Sequence, residues 1–397
     1  MWNLILIAMK VFTHRDIFFT LIAIFWTSLL WAQDGTFSLV VHNPLYINPA
    51  YSTPSNRALS LQTNSRSQWL NLPGPTSRSS GYQFNQISLI APLKSGRDNG
   101  FGGALQLNRS YAGEGRLEIT DANVFLGVYQ RMARETYIRF GMGVGLRQAH
   151  VDWSDLVFSS QLDPYLGLIN PMANVNPQNI VTNVAVTPSL GAVLRSHRRI
   201  NTGALDVQMG YGLFHWSTPN LSFFNQVDPI SARHSIHGTL MFFPRGRKGL
   251  TSVISPTYFV VNHVFMYQQP HRTNETRLGI NLARQLTIYQ GFRRKHFVEL
   301  NGNVDAFITS FQLSQSWGML SIGYDFTISQ LDGCTLGTME FGYTLPLDSK
   351  FIFNSRYNRE PCFVEDLLKA SEWKAVEKFS KSATSWGFQY SPVQFIP

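Results

Sequence analysis

Histidine and cysteine are the side chains of this sequence best suited to metal binding or catalysis. The chain has 10 histidines and 2 cysteines among 397 residues. His234 and His237 lie three apart in a predicted strand, where that spacing places them on opposite faces. Two cysteines exclude a disulfide-rich scaffold and any zinc site built on paired C-x-x-C motifs. We therefore expect no metal and no cofactor.

Catalytic motifs give no better candidate. The sequence has no G-x-S-x-G nucleophile elbow, no H-E-x-x-H motif and no phosphate-binding P-loop. The glycine-rich run Gly141–Gly145 lies within a predicted strand with no helix after it, so close packing explains it better than nucleotide binding. No two titratable groups have the spacing of an acid–base pair. These observations predict a protein that is not an enzyme.

The first 32 residues have the features of an export signal. Lys10 and Arg15 precede an apolar run over 17–30, and Ala32 follows as a small residue at a cleavage site. The alternative is a single transmembrane anchor, but this run is shorter than the ~20 residues that span a bilayer. We expect a signal peptide over 1–32 with cleavage near Ala32, and export of the remaining chain.

Most of the remaining chain alternates between apolar and polar residues with a period of two. Residues 137–147 place five apolar side chains on one face and only glycine, arginine and tyrosine on the other. Residues 205–213, 297–305 and 320–328 repeat the pattern. Because successive side chains of a strand point to opposite faces, each segment predicts a strand with one apolar and one polar face.

Two all-β architectures fit this alternation. A soluble sandwich would bury its apolar faces together, whereas an outer-membrane barrel would turn them towards lipid around a polar lumen. The long segments, the aromatic residues near their ends and the glycine and charge on the polar face favour the barrel. We expect a transmembrane antiparallel β-barrel of about 12–16 strands, with 14 as the best estimate, within residues 33–345.

Connections and the C-terminal region are less regular. The stretch 163–183 is rich in asparagine and proline and predicts a long loop. Residues 346–397 lack the alternation and form a short C-terminal tail to which we assign no function. Cys334 and Cys362 flank the end of the last predicted strand, and whether they pair is left open.

Several short motifs occur in order along the chain and together resemble the PorP/SprF family of outer-membrane proteins of the Bacteroidetes type IX secretion system. The closing motif Tyr-Asp-Phe-x-x-Ser is represented by 324–329, and a Gly-x-x-Glu-x strand follows at 337–341. The earlier motifs are Asn-Pro-Ala-Tyr at 48–51, Arg-x-Gln-Trp at 66–69, Gly-x-Gly near 100–102 and Ser-Asp-Leu at 154–156.

This resemblance implies a role in protein secretion, surface attachment or gliding motility in the outer membrane. The implied partners are membrane lipid, the C-terminal domain of a large secreted adhesin and other type IX secretion components. The scattered basic residues do not suggest nucleic acid. The alternative is a general porin or small-molecule channel. An open lumen would favour that alternative, and a lumen filled by loops or by the N-terminal segment would favour a docking protein.

The candidate partner-binding residues come from these motifs and from the basic clusters. Asn48, Pro49 and Trp69 either have structural roles or help to form a docking surface on the periplasmic side. Arg293 and Arg294 either steer an acidic partner or contact anionic lipid headgroups. The full set comprises Asn48, Pro49, Trp69, Asp152, Ser154, Asp155, Arg293 and Arg294.

Overall fold

The computed structural model is a closed antiparallel β-barrel of 14 strands, which confirms the predicted fold class and the best estimate of strand number. In the described part of the chain, no helix is long and apolar enough to cross a membrane. The structure describes residues 34–53, 59–69, 81–95, 98–113, 116–152, 162–163, 167–168, 179–223, 227, 229–244, 256–282, 285–297, 300–315, 317–328 and 337–347.

The barrel strands follow one another around the ring in chain order, and the last pairs with the first. They are β1 Leu59–Gln68, β2 Tyr82–Ser95, β3 Asn99–Ala112, β4 Leu117–Ala133, β5 Thr136–Asp152, β6 Ala185–Ile200, β7 Gly203–Phe214, β8 Arg233–Pro244, β9 Pro256–Gln268, β10 His271–Leu282, β11 Leu286–Phe297, β12 Leu300–Gln315, β13 Gly318–Thr327 and β14 Thr338–Leu347.

Ring closure depends on the pairing of β1 with β14, which runs from Leu59 opposite Leu347 to Gln68 opposite Thr338. A short strand, Asn179–Val181, pairs with the end of β5. Two further short strands, Leu162–Asp163 and Gly167–Leu168, pair with each other outside the barrel sheet. The stretch predicted as a long loop therefore contains short strands as well.

The alternation read from the sequence sets which side chains face outwards. On β5, Phe140, Met142 and Val144 are 50–61% exposed, whereas Tyr137 and Arg147 are at most 8% exposed. The apolar row lies on the outside of the barrel and the row of glycine and arginine lies inside. This is the arrangement of a membrane barrel, since a sandwich would have buried the apolar row.

The connections at the two ends of the barrel differ in length. The end at which β1 finishes, here called the upper end, carries the longer connections 69–81, 153–184, 215–232 and 328–337 and the short connections 113–116, 269–270 and 298–299. The opposite, lower end carries the short connections 96–98, 134–135, 201–202, 283–285 and 316–317, and a longer one at 245–255. Short turns face the periplasm and long loops face the cell exterior in such barrels, so the upper end is assigned to the exterior.

Residues 34–53, here called the lumen segment, lie inside the barrel. They include a single-turn helix, Pro44–Ile47, between two 3₁₀ turns, Val40–His42 and Pro49–Ser52. Leu45 and Ala50 are completely buried although neither belongs to a strand. The interior is therefore occupied by the chain that precedes the first strand.

Several sequence-based expectations concern residues outside the described part of the chain. Leu347 is the last described residue, so nearly all of the predicted tail is outside it. The others are the signal peptide over 1–32, the candidate residues Ser154 and Asp155, and the two cysteines Cys334 and Cys362.

A closed barrel with an apolar exterior should require detergent and should resist unfolding by dodecyl sulfate until it is heated. We expect the unheated protein to migrate faster than the boiled protein in gel electrophoresis, because the folded barrel is compact. A protein that is monodisperse in solution without detergent would contradict the membrane assignment.

Candidate functional site

The lumen segment fits inside the barrel because glycine replaces side chains where its backbone approaches the wall. A side chain at Gly141 on β5 would overlap the carbonyl group of Pro49, and one at Gly212 on β7 would overlap the carbonyl oxygen of Ile47. Glycine is the residue that permits such a close approach of two backbones. Gly141 therefore serves packing against the lumen segment, whereas side chains at Gly143 and Gly145 would overlap Phe125 and Asn123 of the barrel wall.

Ser38 is the point at which the lumen segment is held most firmly. Its backbone N–H donates to Oε2 of Glu340 at 2.6 Å, and the N–H of Leu39 donates to Oε1 of the same carboxylate at 2.9 Å. The Ser38 hydroxyl donates to Oδ2 of Asp325 at 2.7 Å and accepts from Nη1 of Arg66, also at 2.7 Å. The Ser38 hydroxyl also accepts from Nη2 of Arg293 at 2.8 Å, and its carbonyl accepts from Arg277, so this one serine contacts five charged residues of the barrel wall.

The side chains around Ser38 form a buried and balanced charge cluster. Arg66 lies 3.1 Å from Glu340 and 2.9 Å from Asp325, and Arg293 also pairs with Asp325. Glu275 completes the cluster through contacts of 3.0 Å with Arg277 and 3.3 Å with Arg293. The members are the cations Arg66, Arg277 and Arg293 and the anions Glu275, Asp325 and Glu340, all at most 4% exposed.

Asp34, at the first described position, is held by a second set of charges. Its carboxylate lies 2.7 Å from Nη1 of Arg147, 3.0 Å from Nε2 of His215 and 3.5 Å from Nη1 of Arg233. Burial opposes ionisation of Asp34, but these groups outweigh that effect and hold its pKa well below the usual range. A cavity of about 130 Å³ lies beside Asp34.

Asn48 and Pro49 have structural contacts inside the lumen. The Asn48 side chain accepts from the N–H of Ala50 at 2.9 Å, and its amide nitrogen donates to the carbonyl oxygen of Ala192 at 2.9 Å. The same nitrogen lies 3.1 Å from Nε2 of His237, which faces inwards, whereas His234 faces outwards as the alternation predicts. Neither Asn48 nor Pro49 is at the surface.

The remaining candidate residues are separated by the structure. Trp69 is half-buried at the upper end, where its backbone N–H donates to the carbonyl oxygen of Gly337 at 3.0 Å. The connection lengths assign this end to the exterior, and the prediction of a docking surface on the periplasmic side stays a prediction. Asp152 ends β5 at the same upper end.

The basic pair Arg293–Arg294 is divided between two environments. Arg293 is 1% exposed and belongs to the charge cluster in the lumen, whereas Arg294 faces outwards and is exposed. Adjacent residues of a strand must point to opposite faces, so two neighbouring arginines cannot form one rim cluster. Only Arg294 remains able to contact a partner or lipid from outside.

The charge cluster itself was not predicted from the sequence. Its members were visible only as isolated charges on inward rows, and their contacts link residues up to 302 positions apart. No group of three potential metal ligands occurs among the described residues. The site is a structural and electrostatic one, built to hold a peptide segment.

Comparison with known proteins shows a match to one family model over residues 31–344, described as the type IX secretion system membrane protein PorP/SprF. No curated protein matches the chain.

Among solved structures, the β domain of the Bordetella autotransporter BrkA is 11% identical and has a TM-score of 0.37, over 73% of this chain and 99% of that chain. A Pseudomonas aeruginosa FadL homologue is 10% identical and has a TM-score of 0.34, over 76% of this chain and 93% of that chain. Likenesses of this size carry no information on function.

The two adjacent arginines allow a matched test of the charge cluster. Arg293→Met should destabilise the barrel by about 3–5 kcal/mol, because it leaves Asp325 and Glu275 buried with fewer cations. Arg294→Met should change the free energy of unfolding by less than about 1 kcal/mol, since the side chain is exposed. Urea unfolding in detergent micelles measures both. Equal effects would contradict the inward and outward assignment.

Proposed function

The chain belongs to the PorP/SprF family of type IX secretion system membrane proteins, and we propose that it docks a large secreted protein through that protein's C-terminal domain. In this function the barrel is a non-catalytic receptor in the outer membrane. It helps to localise the secreted protein at the cell surface. The observation that carries the proposal is the lumen segment, which occupies the space that a channel would need.

The contacts of the lumen segment support a permanent role in the interior. Asp34 is held by charged side chains of β5, of β8 and of the connection between β7 and β8. Ser38 is held by the charge cluster, whose members lie on β1, β10, β11, β13 and β14. Asn48 is held by contacts with β6 and β8. A segment tied to so many strands leaves recognition to the ends of the barrel. The upper end has the longer connections and so offers the larger surface to an external partner.

Trp69 is the residue that we assign to the docking surface. It begins the connection 69–81 at the upper end and is partly exposed. Tryptophan is enriched among the side chains that contribute most to protein–protein binding. Asp152 lies at the same end and is a second candidate, whereas Asn48, Pro49 and Arg293 act indirectly by holding the lumen segment.

Two tryptophans at opposite ends of the barrel provide a test of the docking surface. Trp69→Ala should weaken binding of the purified C-terminal domain of a type IX substrate from the same organism by at least about tenfold. Trp317→Ala, at the lower end and 49% exposed in the native protein, should leave binding unchanged. The measurement is the affinity of the substrate domain for the detergent-solubilised barrel immobilised on a sensor surface.

Heat-dependent gel migration of both variants shows whether the barrel remains folded. Unchanged binding by folded Trp69→Ala would exclude Trp69 from the docking surface. If no substrate domain binds the native barrel, the docking proposal itself fails.

The alternative function as a porin predicts a different electrical behaviour. We expect the native barrel to show no steady conductance in planar bilayers, because the lumen segment fills its interior. A variant that lacks residues 34–53 should conduct if its barrel still closes. Steady single-channel conductance of the native protein would favour the porin instead.

A further inference from the structure

Two exposed arginines lie at the exterior edge of the apolar belt, which is the band of outward-facing apolar residues around the barrel. Arg272 is the second residue of β10, and Arg294 lies three residues before Phe297, the end of β11. The hairpin connections of these strands at the upper end are short, 269–270 and 298–299, so the wall ends just above both arginines. The next outward residue below Arg294 is Phe292, which is 53% exposed. The arginines therefore lie where the hydrocarbon-facing surface meets the headgroups of the exterior leaflet.

Strand pairing brings the two arginines together on the outer face. Arg272 lies opposite His296, and Asn274 lies opposite Arg294. Arg272 and Arg294 are thus diagonal neighbours on adjacent strands, and such neighbours are roughly 7–8 Å apart. Arginine side chains are long enough for both guanidinium groups to reach one ligand at this spacing. The amide of Asn274 supplies a further hydrogen-bond donor beside them.

An aromatic row continues from Arg272 across the neighbouring strands. His234 on β8, Tyr267 on β9 and Arg272 on β10 lie directly opposite one another. The rings of His234 and Tyr267 have centroids 6.1 Å apart, and the guanidinium of Arg272 lies 5.4 Å from the centroid of the Tyr267 ring. The hydroxyl of Tyr211 is 2.8 Å from Nδ1 of His234. Aromatic residues with a polar tip are typical of the membrane interface, so this row places the arginines at headgroup level.

The two arginines have no acidic partner on their face of the barrel. Among the described residues, the outward rows of β8–β11 contain no aspartate or glutamate. The outward Arg109 of β3, at the same upper end, differs in this respect because it lies 2.7 Å from Glu118 of β4. The guanidinium fork matches the oxygens of a phosphate group as well as those of a carboxylate. Arg272, Asn274 and Arg294, here called the basic edge, therefore offer an unneutralised set of donors to an anionic ligand.

We propose that the basic edge binds the phosphate groups of lipid A, the membrane anchor of lipopolysaccharide, in the exterior leaflet. The two guanidinium groups and the Asn274 amide donate to phosphate oxygens, and Phe292 contacts an acyl chain of the same lipid. An acidic protein would also match the charge. The lipid is favoured because the basic edge borders hydrocarbon-facing Phe292 and continues an interfacial aromatic row, so headgroups already lie against it.

The chemistry of the ligand is tested with two forms of the lipid. The native barrel in detergent micelles should bind purified, phosphorylated lipid A, and it should bind enzymatically dephosphorylated lipid A at least about tenfold more weakly. Added sodium chloride should weaken binding of the phosphorylated form, because salt screens charges at an exposed site. This experiment involves no secreted substrate, so its outcome is independent of the docking function.

Two matched double variants test the position of the site. Arg272→Gln with Arg294→Gln should lower the affinity for phosphorylated lipid A at least about tenfold. Arg109→Gln with Arg116→Gln removes the same number of positive charges at the same end of the barrel and should leave the affinity unchanged. Heat-dependent gel migration shows that both proteins are folded.

Three results would overturn the proposal. Equal binding of the two lipid forms would show that only acyl chains are recognised. Equal losses in the two double variants would show that general surface charge and not the basic edge attracts the lipid. Unchanged lipid A binding by folded Arg272→Gln with Arg294→Gln, together with a loss of substrate-domain binding, would assign the basic edge to a protein partner.

Discussion

The structure depends most on the neutralisation of six charges in the barrel interior. Three arginines and three carboxylates converge on Ser38, and all six are nearly inaccessible to water. An unpaired charge in such a place costs several kcal/mol, so no member can be removed without a penalty on the others. The lumen segment is part of this balance, because the N–H groups of Ser38 and Leu39 donate to Glu340 and the Ser38 carbonyl accepts from Arg277.

The charge cluster also joins the two ends of the sheet. Arg66 on β1 and Glu340 on β14 lie directly opposite each other at the seam where the barrel closes, 3.1 Å apart. A slip of two residues would leave the same side chains on the inward and outward faces, so the alternation alone does not select one register for this seam. A specific pair of opposite charges on the inward face favours the observed register. Ser38 hydrogen-bonds to Arg66 on β1 and to Glu340 on β14, so the lumen segment and the closure of the barrel stabilise each other.

The sequence predicts the barrel well because alternation is a local signal. The apolar row from Ile138 to Leu146 and its glycine-rich counterpart specify both the strand and its two faces. The lumen segment has no such periodicity, and its partners on the barrel wall lie between 28 and 302 residues away in the chain. Its position follows from long-range charge pairing and glycine gaps, which no local pattern reveals. The opposite faces of Arg293 and Arg294, by contrast, follow from the local alternation of the strand.

One rule connects the interior of the barrel with its outer surface. Inside, polar wall residues are accepted because the lumen segment supplies carbonyl, amide and hydroxyl groups within hydrogen-bonding distance. Outside, lipid tails supply none, so a polar residue within the apolar belt must find its partner on protein. The lumen segment is thus the internal partner of the polar inward face of the wall. Because the barrel fills its interior with its own chain, the inward polar groups of the wall find hydrogen-bond partners on that chain.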